Sequence, residues 1–244
     1  DRNTAARGNR NPPAIVAAFM QDQLLWGWVT RLLSGFYTVQ TGQSTLICRL
    51  RGRLKKDAIG GDLVALGDRV GVLALGDGSG VIEKIEPRSH ALIRKAPTVR
   101  GEYQQVLLAN PDQVVFVFAC AHPQPHLRML DRVLVIAEQQ GIPAVIVANK
   151  VDLVGLETAR EKFGLYEPLG YPVHYTSAKS GQGIDGLRSQ LAGKLSALAG
   201  PSGVGKSSLL NAIQPALGLA VREVSAATSK GRHTTIVRQM FALD

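Results

Sequence analysis

Eight consecutive residues, Gly200-Pro201-Ser202-Gly203-Val204-Gly205-Lys206-Ser207, match the pattern G-x-x-x-x-G-K-[ST] at each fixed position. They follow a run that reads as a strand (195–199) and open one that reads as a helix (207–213), the context such a loop requires. Gly203 and Gly205 let the backbone curl so that its N–H groups face phosphate oxygens, and the helix that follows adds its positive N-terminal dipole. Lys206 reaches the β- and γ-phosphates, and the Ser207 hydroxyl ligates Mg²⁺. Gly200, Ser202, Val204 and Ser208 complete the loop and its first helical turn. A chance glycine-rich turn is the bland alternative. The loop alone does not separate adenine from guanine nucleotides.

Two further motifs address the base. Asn149-Lys150-Val151-Asp152 follows an apolar strand-like run at 144–148. A carboxylate at Asp152 can accept from guanine N1–H and from its exocyclic amine, a donor pair adenine lacks. A buried acceptor left unpaired is costly, so such a site rejects the wrong base strongly. Asn149 would contact the guanine edge and the phosphate loop, and Lys150 would pack along the base plane. The alternative is a polar strand-to-helix turn with Asp152 as an N-cap. Thr176-Ser177-Ala178-Lys179 lies just past another strand-like run at 173–176. It is similar to the S-A-K loop of GTPases, in which a backbone N–H meets guanine O6. All three motifs fall at strand ends, where open α/β sheets bind ligands.

Their order carries the most information. Ordinary GTPases place the phosphate loop first, then N-K-x-D, then S-A-K; here the phosphate loop comes last. The chain therefore resembles a circularly permuted GTPase domain, with GTP or GDP and Mg²⁺ as its ligands. More specifically, it resembles the ribosome-small-subunit-dependent GTPases, which carry an N-terminal OB domain, a permuted GTPase domain and a C-terminal zinc domain. The resemblance runs from about Gly27 to the last residue. It includes Cys48-Arg49-Leu50-Arg51-Gly52-Arg53-Leu54, Gly67-Asp68-Arg69-Val70, Ala109-Asn110-Pro111-Asp112-Gln113 and Gly231-Arg232-His233-Thr234-Thr235. It implies binding to the small ribosomal subunit and its rRNA, GTP hydrolysis stimulated by that subunit, and a role late in subunit maturation.

Residues 225–235 are polar, with no apolar period, and read as a switch loop. A switch threonine completes Mg²⁺ coordination in GTPases. Thr235 is favoured for that role over Thr234, by analogy with related pairs. His233 then lies near the γ-phosphate, and the resemblance makes it a candidate for positioning the attacking water. Lys206 and His233 are thus the catalytic candidates. Two other readings compete: an RNA-binding module whose nucleotide site only switches affinity, and an ATP-using P-loop enzyme such as a kinase, against which Asn149 and Asp152 argue.

The elements that must position these residues fall into two blocks. Residues 27–33, 36–40, 44–54, 62–66, 68–74 and 80–85 are short alternating runs punctuated by Gly, Asp and Ser. Over 24–95 they suggest an all-β OB-type barrel, a fold that often binds nucleic acid. Arg49, Arg51, Arg53 and Lys55 lie at i, i+2, i+4 and i+6; on one strand they would share a face and form a cationic RNA-binding stripe. Leu50 and Leu54 would face the core. Trp26, Trp28, Phe36 and Tyr37 could stack on bases, but most of them are read as barrel-core residues and not as RNA contacts. Residues 1–23, with Arg2, Arg7 and Arg10 and the pair Pro12-Pro13, read as a basic arm, and residues 96–110 as a linker. From 111 onward, strand-like runs at 114–120, 144–148, 173–176, 195–199 and 236–243 alternate with helical ones at 127–140, 156–169, 184–191 and 207–213, the pattern of a mostly parallel α/β sheet.

Length and charge agree with this division. The 244 residues suit two domains, and 28 Lys/Arg against 19 Asp/Glu give a net +9. The front 110 residues hold 15 basic and 9 acidic residues, a net of +6, and the remainder 13 and 10, a net of +3. A basic excess suits contact with nucleic acid. Two cysteines, Cys48 and Cys120, exclude a disulfide framework and a Cys-rich zinc site within these residues. The longest apolar runs, 14–20 and 114–121, fall well short of the roughly 20 residues that span a bilayer. Residues 1–23 lack a secretory signal pattern. The expectation is a cytoplasmic, membrane-free monomer. No D-x-P-G switch follows the 236–243 run, so the sequence reads as part of a longer protein whose zinc domain lies beyond Asp244.

Overall fold

The computed structural model describes residues 24–57, 62–98, 101–220 and 238–243. Its first block is a closed barrel of five strands: β1 (Leu25–Leu33), β2 (Phe36–Thr41), β3 (Thr45–Leu50), β4 (Arg69–Ala74) and β5 (Ser79–Ile85). The order is β1-β2-β3-β5-β4, and β4 pairs back with β1 to close the ring. All pairings among them are antiparallel except β3 with β5. Alternate residues fill the interior: Val29, Val39, Leu46, Cys48, Val70, Val72 and Ile82 are buried together with Val64. This is the period-two packing that a small barrel demands.

The second block is a four-stranded parallel sheet in the order β10-β9-β8-β11, from β8 (Gln113–Ala119), β9 (Ala144–Asn149), β10 (Val173–Thr176) and β11 (Ser196–Ala199). Every residue of β8 and β9 is buried, as expected for central strands covered on both faces. One face (Val114, Phe116, Phe118, Ile146, Ala148) packs on α1 (Leu127–Gln139) and α2 (Leu156–Phe163) through Leu130, Leu134, Ala137, Ala159 and Phe163. The other (Val115, Val117, Val145, Val147) packs on α3 (Ile184–Leu191) and α4 (Lys206–Ile213) through Leu187, Leu191, Leu209 and Ile213. The result is a three-layer α/β/α arrangement whose strand ends point one way.

Four expectations need correction, and one is sharpened. Residues 96–110, read as a linker, are largely a hairpin of β6 (Ala91–Thr98) and β7 (Gly101–Ala109). Leu92, Val106 and Leu108 at its base are buried. The Gln140 side chain accepts from the Ile93 N–H and donates to the Ile93 carbonyl, fastening β6 to the end of α1. The run 44–54 is not one strand, because β3 ends at Leu50 and a 3₁₀ turn occupies Gly52–Asp57. Residues 62–66 form no strand; their backbone is held by side chains instead. The Arg88 guanidinium donates to the carbonyls of Asp62 and Leu63, and the Ala65 N–H donates to Asp68. The run 156–169, read as a helix or helix-like connection, is an α-helix to Phe163 and then a 3₁₀ segment, Gly164–Leu169, containing Pro168, which cannot donate an N–H. The fifth sheet strand expected at 236–243 is a two-residue strand, β12 (Arg238–Gln239), paired antiparallel with β1 of the barrel and not with the parallel sheet. At the bulge in β1, the Thr30 carbonyl accepts from the Met240 N–H.

The Gly67-Asp68-Arg69-Val70 segment joins the two blocks. The Gly67 N–H donates to the Val29 carbonyl, and the Leu66 carbonyl accepts from the Ala109 N–H at 2.7 Å. Gly67 has φ +78, and a Cβ there would stand 2.4 Å from the Ala109 carbonyl oxygen, so only glycine fits. Asp68 is fully buried and takes a bidentate pair of 2.7 Å bonds from Arg88. Ala109-Asn110-Pro111-Asp112-Gln113 works similarly: Asn110 accepts from Ser89, Asp112 accepts from the Leu195 N–H, and Gln113 donates to the Gln190 carbonyl and Ser196 hydroxyl.

Candidate nucleotide site

The three motifs meet at the carboxyl ends of β9, β10 and β11. Gly200 leaves β11 with φ +148, and a Cβ there would lie 2.1 Å from the Val117 carbonyl oxygen, so the loop must start on glycine. Gly203 and Gly205 take φ +78 and +97. The backbone then enters α4 at Lys206 with no side chain capping its N-terminus and no acidic residue in its first turn. The free N–H groups of that turn suit an anion. The Lys206 ammonium folds back to donate to the Gly200 and Pro201 carbonyls at 2.8 and 2.7 Å, and burial holds its pKa below the usual lysine value. Phosphate oxygens placed in the loop would take over from those carbonyls. Ser202 is exposed, while Ser207 and Ser208 are partly buried.

Asn149 ties the motifs together. It is 1% exposed at the end of β9. Its Nδ2 donates to the Val204 carbonyl of the phosphate loop at 2.8 Å, and its Oδ1 accepts from the Thr176 hydroxyl at 3.2 Å. Gly205 faces it closely, for a Cβ on Gly205 would sit 2.5 Å from that Nδ2. Lys150 adopts a left-handed conformation (φ +65). Its ammonium donates to the Gly203 carbonyl at 2.7 Å and to the His122 carbonyl. Burial lowers the Lys150 pKa, and the nearby Asp152 charge opposes that shift. Asp152 is exposed in a short 3₁₀ turn, and its Oδ1 accepts from the buried Ser177 hydroxyl at 2.6 Å. Ser177 in turn accepts from the Ser180 N–H, fixing the loop that carries Ala178 and Lys179.

These groups enclose a pocket of about 230 Å³ lined by Asn149, Lys150, Asp152, Leu153, Ala178, Lys179, Gly205 and Ser208. Its shape and donor set suit a flat heterocycle with the Asp152 carboxylate at one edge and the phosphate loop adjoining. Sequence reasoning did not single out Leu153, an exposed pocket wall, and it placed Thr176 in the base motif without foreseeing its bond to Asn149. Leu153 directly follows the N-K-V-D motif, the one signal that could have marked it. Among the described residues, no three His, Cys, Asp or Glu side chains gather to hold a metal. A lone hydroxyl at Ser207 beside a phosphate cradle fits Mg²⁺, which keeps waters and phosphate oxygens and needs few protein ligands. His233, Thr234 and Thr235 lie outside the described residues.

A family model of the RsgA GTPases matches residues 85–244, and one of the RsgA N-terminal domain matches residues 26–82. The chain belongs to the RsgA GTPase family. Among RsgA relatives, one from Gemmatimonas aurantiaca is 46% identical over 221 residues, covering 89% of this chain and 71% of that protein. One from Moorella thermoacetica is 45% identical over 218 residues, covering 89% and 70%. Both are named small ribosomal subunit biogenesis GTPase RsgA. Two solved structures share the fold. YjeQ from Thermotoga maritima has a TM-score of 0.65 and 37% identity, covering 81% of this chain and 67% of that one. YloQ, described as a circularly permuted GTPase, has a TM-score of 0.60 and 31% identity with the same coverage. The motif order and the barrel in front of it are therefore those of an RsgA-type permuted GTPase, a GTP-hydrolysing enzyme.

The basic stripe differs from expectation. Arg49 is on β3, but Arg51 follows the strand, and Arg53 and Lys55 fall in the 3₁₀ turn. Arg51 and Arg53 both pair with Glu83, at 3.2 and 2.9 Å. Arg49, Arg51 and Arg53 are nonetheless exposed, while Leu50 and Leu54 pack against the barrel core. Trp26, Trp28 and Phe36, expected inside, are exposed, and Tyr37 is partly buried. Among the described residues no helix is long and apolar enough to cross a membrane.

Proposed function

We propose that the chain is a GTP-hydrolysing factor that engages the small ribosomal subunit, assists its late maturation and turns over faster on the subunit. The observation that carries the nucleotide assignment is the convergence of Asn149, Asp152, Ala178, Lys179, Gly205 and Ser208 on one pocket. In this reading Asp152 accepts from guanine N1–H and the exocyclic amine, a backbone N–H of Ser177, Ala178 or Lys179 donates to O6, and Lys150 lies along the base. Asn149 keeps the phosphate loop against the base site. Gly200, Ser202, Gly203, Val204 and Gly205 present N–H groups to the phosphates, and Ser208 lines the rim. Lys206 lies against the β- and γ-phosphates, where its charge meets the negative charge that grows during hydrolysis. Ser207 and Thr235 would hold Mg²⁺, which when bound neutralises phosphate charge. His233 would position the attacking water.

The subunit as partner comes from the names of relatives at 46% and 45% identity. In our reading residues 24–95 form the RNA-contacting part, with Arg49, Arg51, Arg53 and Lys55 against the rRNA backbone, and the nucleotide site lies within 111–244. The factor acts as a cytoplasmic monomer, and zinc belongs to the C-terminal domain that the family resemblance implies. Sedimentation with purified small subunits tests the proposal. Retention is expected with a non-hydrolysable GTP analogue, weaker retention with GDP, and a steep fall with rising salt. Absence of retention with either nucleotide would overturn it.

A further inference from the structure

The outer face of the barrel carries large apolar side chains in the open. Trp26, Trp28 and Phe36 are 42%, 45% and 41% exposed. Strand parity puts them there. Val29 and Val39 point into the core, so Trp28 on β1 and the residues flanking Val39 on β2 must point out. Gly27 lies between the two tryptophans and faces inward, where a Cβ would come 2.5 Å from the Gln40 carbonyl oxygen. Pairing of Trp28 with Gln40 and of Tyr37 with Cys48 sets the three rings along one continuous sheet face. From Phe36 to Trp26 this face spans roughly 20 Å at about 3.3 Å per residue.

Cations flank the rings. The Arg49 guanidinium lies 4.8 Å from the Phe36 centroid, and that of Arg69 lies 5.7 Å from the Trp26 centroid. Arg31, on the same strand as the tryptophans, is also exposed. Glu83 pairs with Arg51 and Arg53, and Arg69 also lies 3.7 Å from Glu86, a long exposed contact that an RNA phosphate could replace.

We propose that this face binds an unpaired RNA segment, stacking its bases on Trp26, Trp28 and Phe36 while Arg31, Arg49 and Arg69 meet its phosphates. The inference rests on the reading of the chain as an RNA-contacting factor and narrows its target to single strands. Aromatic faces stack on bases of any sequence, whereas a duplex buries its base faces within its own stack. The arginines against two of the three rings put cations where a phosphate backbone would run.

The chain has two tryptophans, both on this face, so its intrinsic fluorescence reports directly on occupancy. The full chain is titrated with an unstructured ten-nucleotide RNA and with a ten-base-pair RNA duplex at low salt. Saturable quenching by the single strand, and at least about tenfold weaker binding of the duplex, is expected. Phe36→Ala, which keeps both reporters, should weaken single-strand binding about tenfold, and Phe36→Tyr should restore it. GTP hydrolysis without subunits should be unchanged in both variants. Equal binding of the duplex, or unaltered single-strand affinity in Phe36→Ala, overturns the proposal. So does an absence of quenching in a chain that still sediments with small subunits, which would leave the subunit reading standing and turn this face over to a protein partner. Loss of that sedimentation in the unmodified chain would instead strike the reading on which the inference rests.

Discussion

Replacing Asn149 by alanine removes a side chain that bonds both to the phosphate loop and to the end of β10. Asn149 is 1% exposed, so no water replaces it without rearrangement. The Val204 carbonyl and the Thr176 hydroxyl each lose a partner, at 2.8 and 3.2 Å. A buried polar group left unpaired costs about 1–3 kcal/mol. The Val204 bond is the one that sets the phosphate loop against the base pocket. Assigning it about 2–3 kcal/mol of nucleotide binding gives a Kd for GDP about 30- to 140-fold weaker. The Thr176 loss falls on the fold itself and should lower the thermal midpoint by a few degrees. Preference for guanine over adenine should survive, because Asp152 is still held by Ser177. Asn149→Asp keeps the size but turns an acceptor toward the Val204 carbonyl, so its loss should be at least as large. Titration with a fluorescent GDP analogue, with thermal unfolding alongside, measures both quantities. A change in Kd under threefold for Asn149→Ala would refute the reasoning.

Three other perturbations bear on separate parts of the structure. Asp152→Asn presents donors where guanine also presents donors, so GTP affinity should fall by at least about a hundredfold while xanthosine triphosphate gains; a competition titration in which GTP affinity is unchanged would remove Asp152 from the base site. Arg88→Ala leaves the fully buried Asp68 carboxylate without its bidentate partner, and denaturant unfolding should show a loss of about 3–5 kcal/mol, with under 1 kcal/mol contradicting the clamp. Burial pushes the Cys48 and Cys120 thiols up to about 11. Between the ordinary thiol range and about 11 the unfolded chain has released protons that the folded chain retains, so stability should fall as pH rises through that window; Cys120→Ala should flatten the slope measured by unfolding at pH 8 to 11, and an unchanged slope would contradict the assignment.

The nucleotide site was legible because its chemistry fixes residue type and spacing together. Gly200 must avoid the Val117 carbonyl, Gly205 must avoid Asn149, and Lys206 must open α4, so the sequence pattern is the geometry written out. The α/β alternation was legible because β8 and β9, buried on both faces, leave uninterrupted apolar runs. What escaped depended on side chains far apart in sequence. The hairpin at Ala91–Ala109 is polar along much of its length, and its place is set by Gln140 and by Leu92, Val106 and Leu108 at its base. The basic stripe was drawn as one strand, although Gly52 opens the 3₁₀ turn that ends it; that Glu83, thirty residues beyond Arg53, pairs with both Arg51 and Arg53 could not be read locally. The tryptophans were assigned mostly to the core, with base stacking as the alternative. The parity set by Val29, against which Trp26 and Trp28 are out of phase, was the signal that placed them outside.

The central claim is that this permuted nucleotide site hydrolyses GTP under control of the small ribosomal subunit. Steady-state phosphate release from GTP, measured with the chain alone, with purified small subunits and with large subunits, tests it most directly. The account predicts slow release alone, a rise of at least about tenfold with small subunits and none with large ones, abolished by Lys206→Ala. Release that small subunits leave unchanged would contradict it.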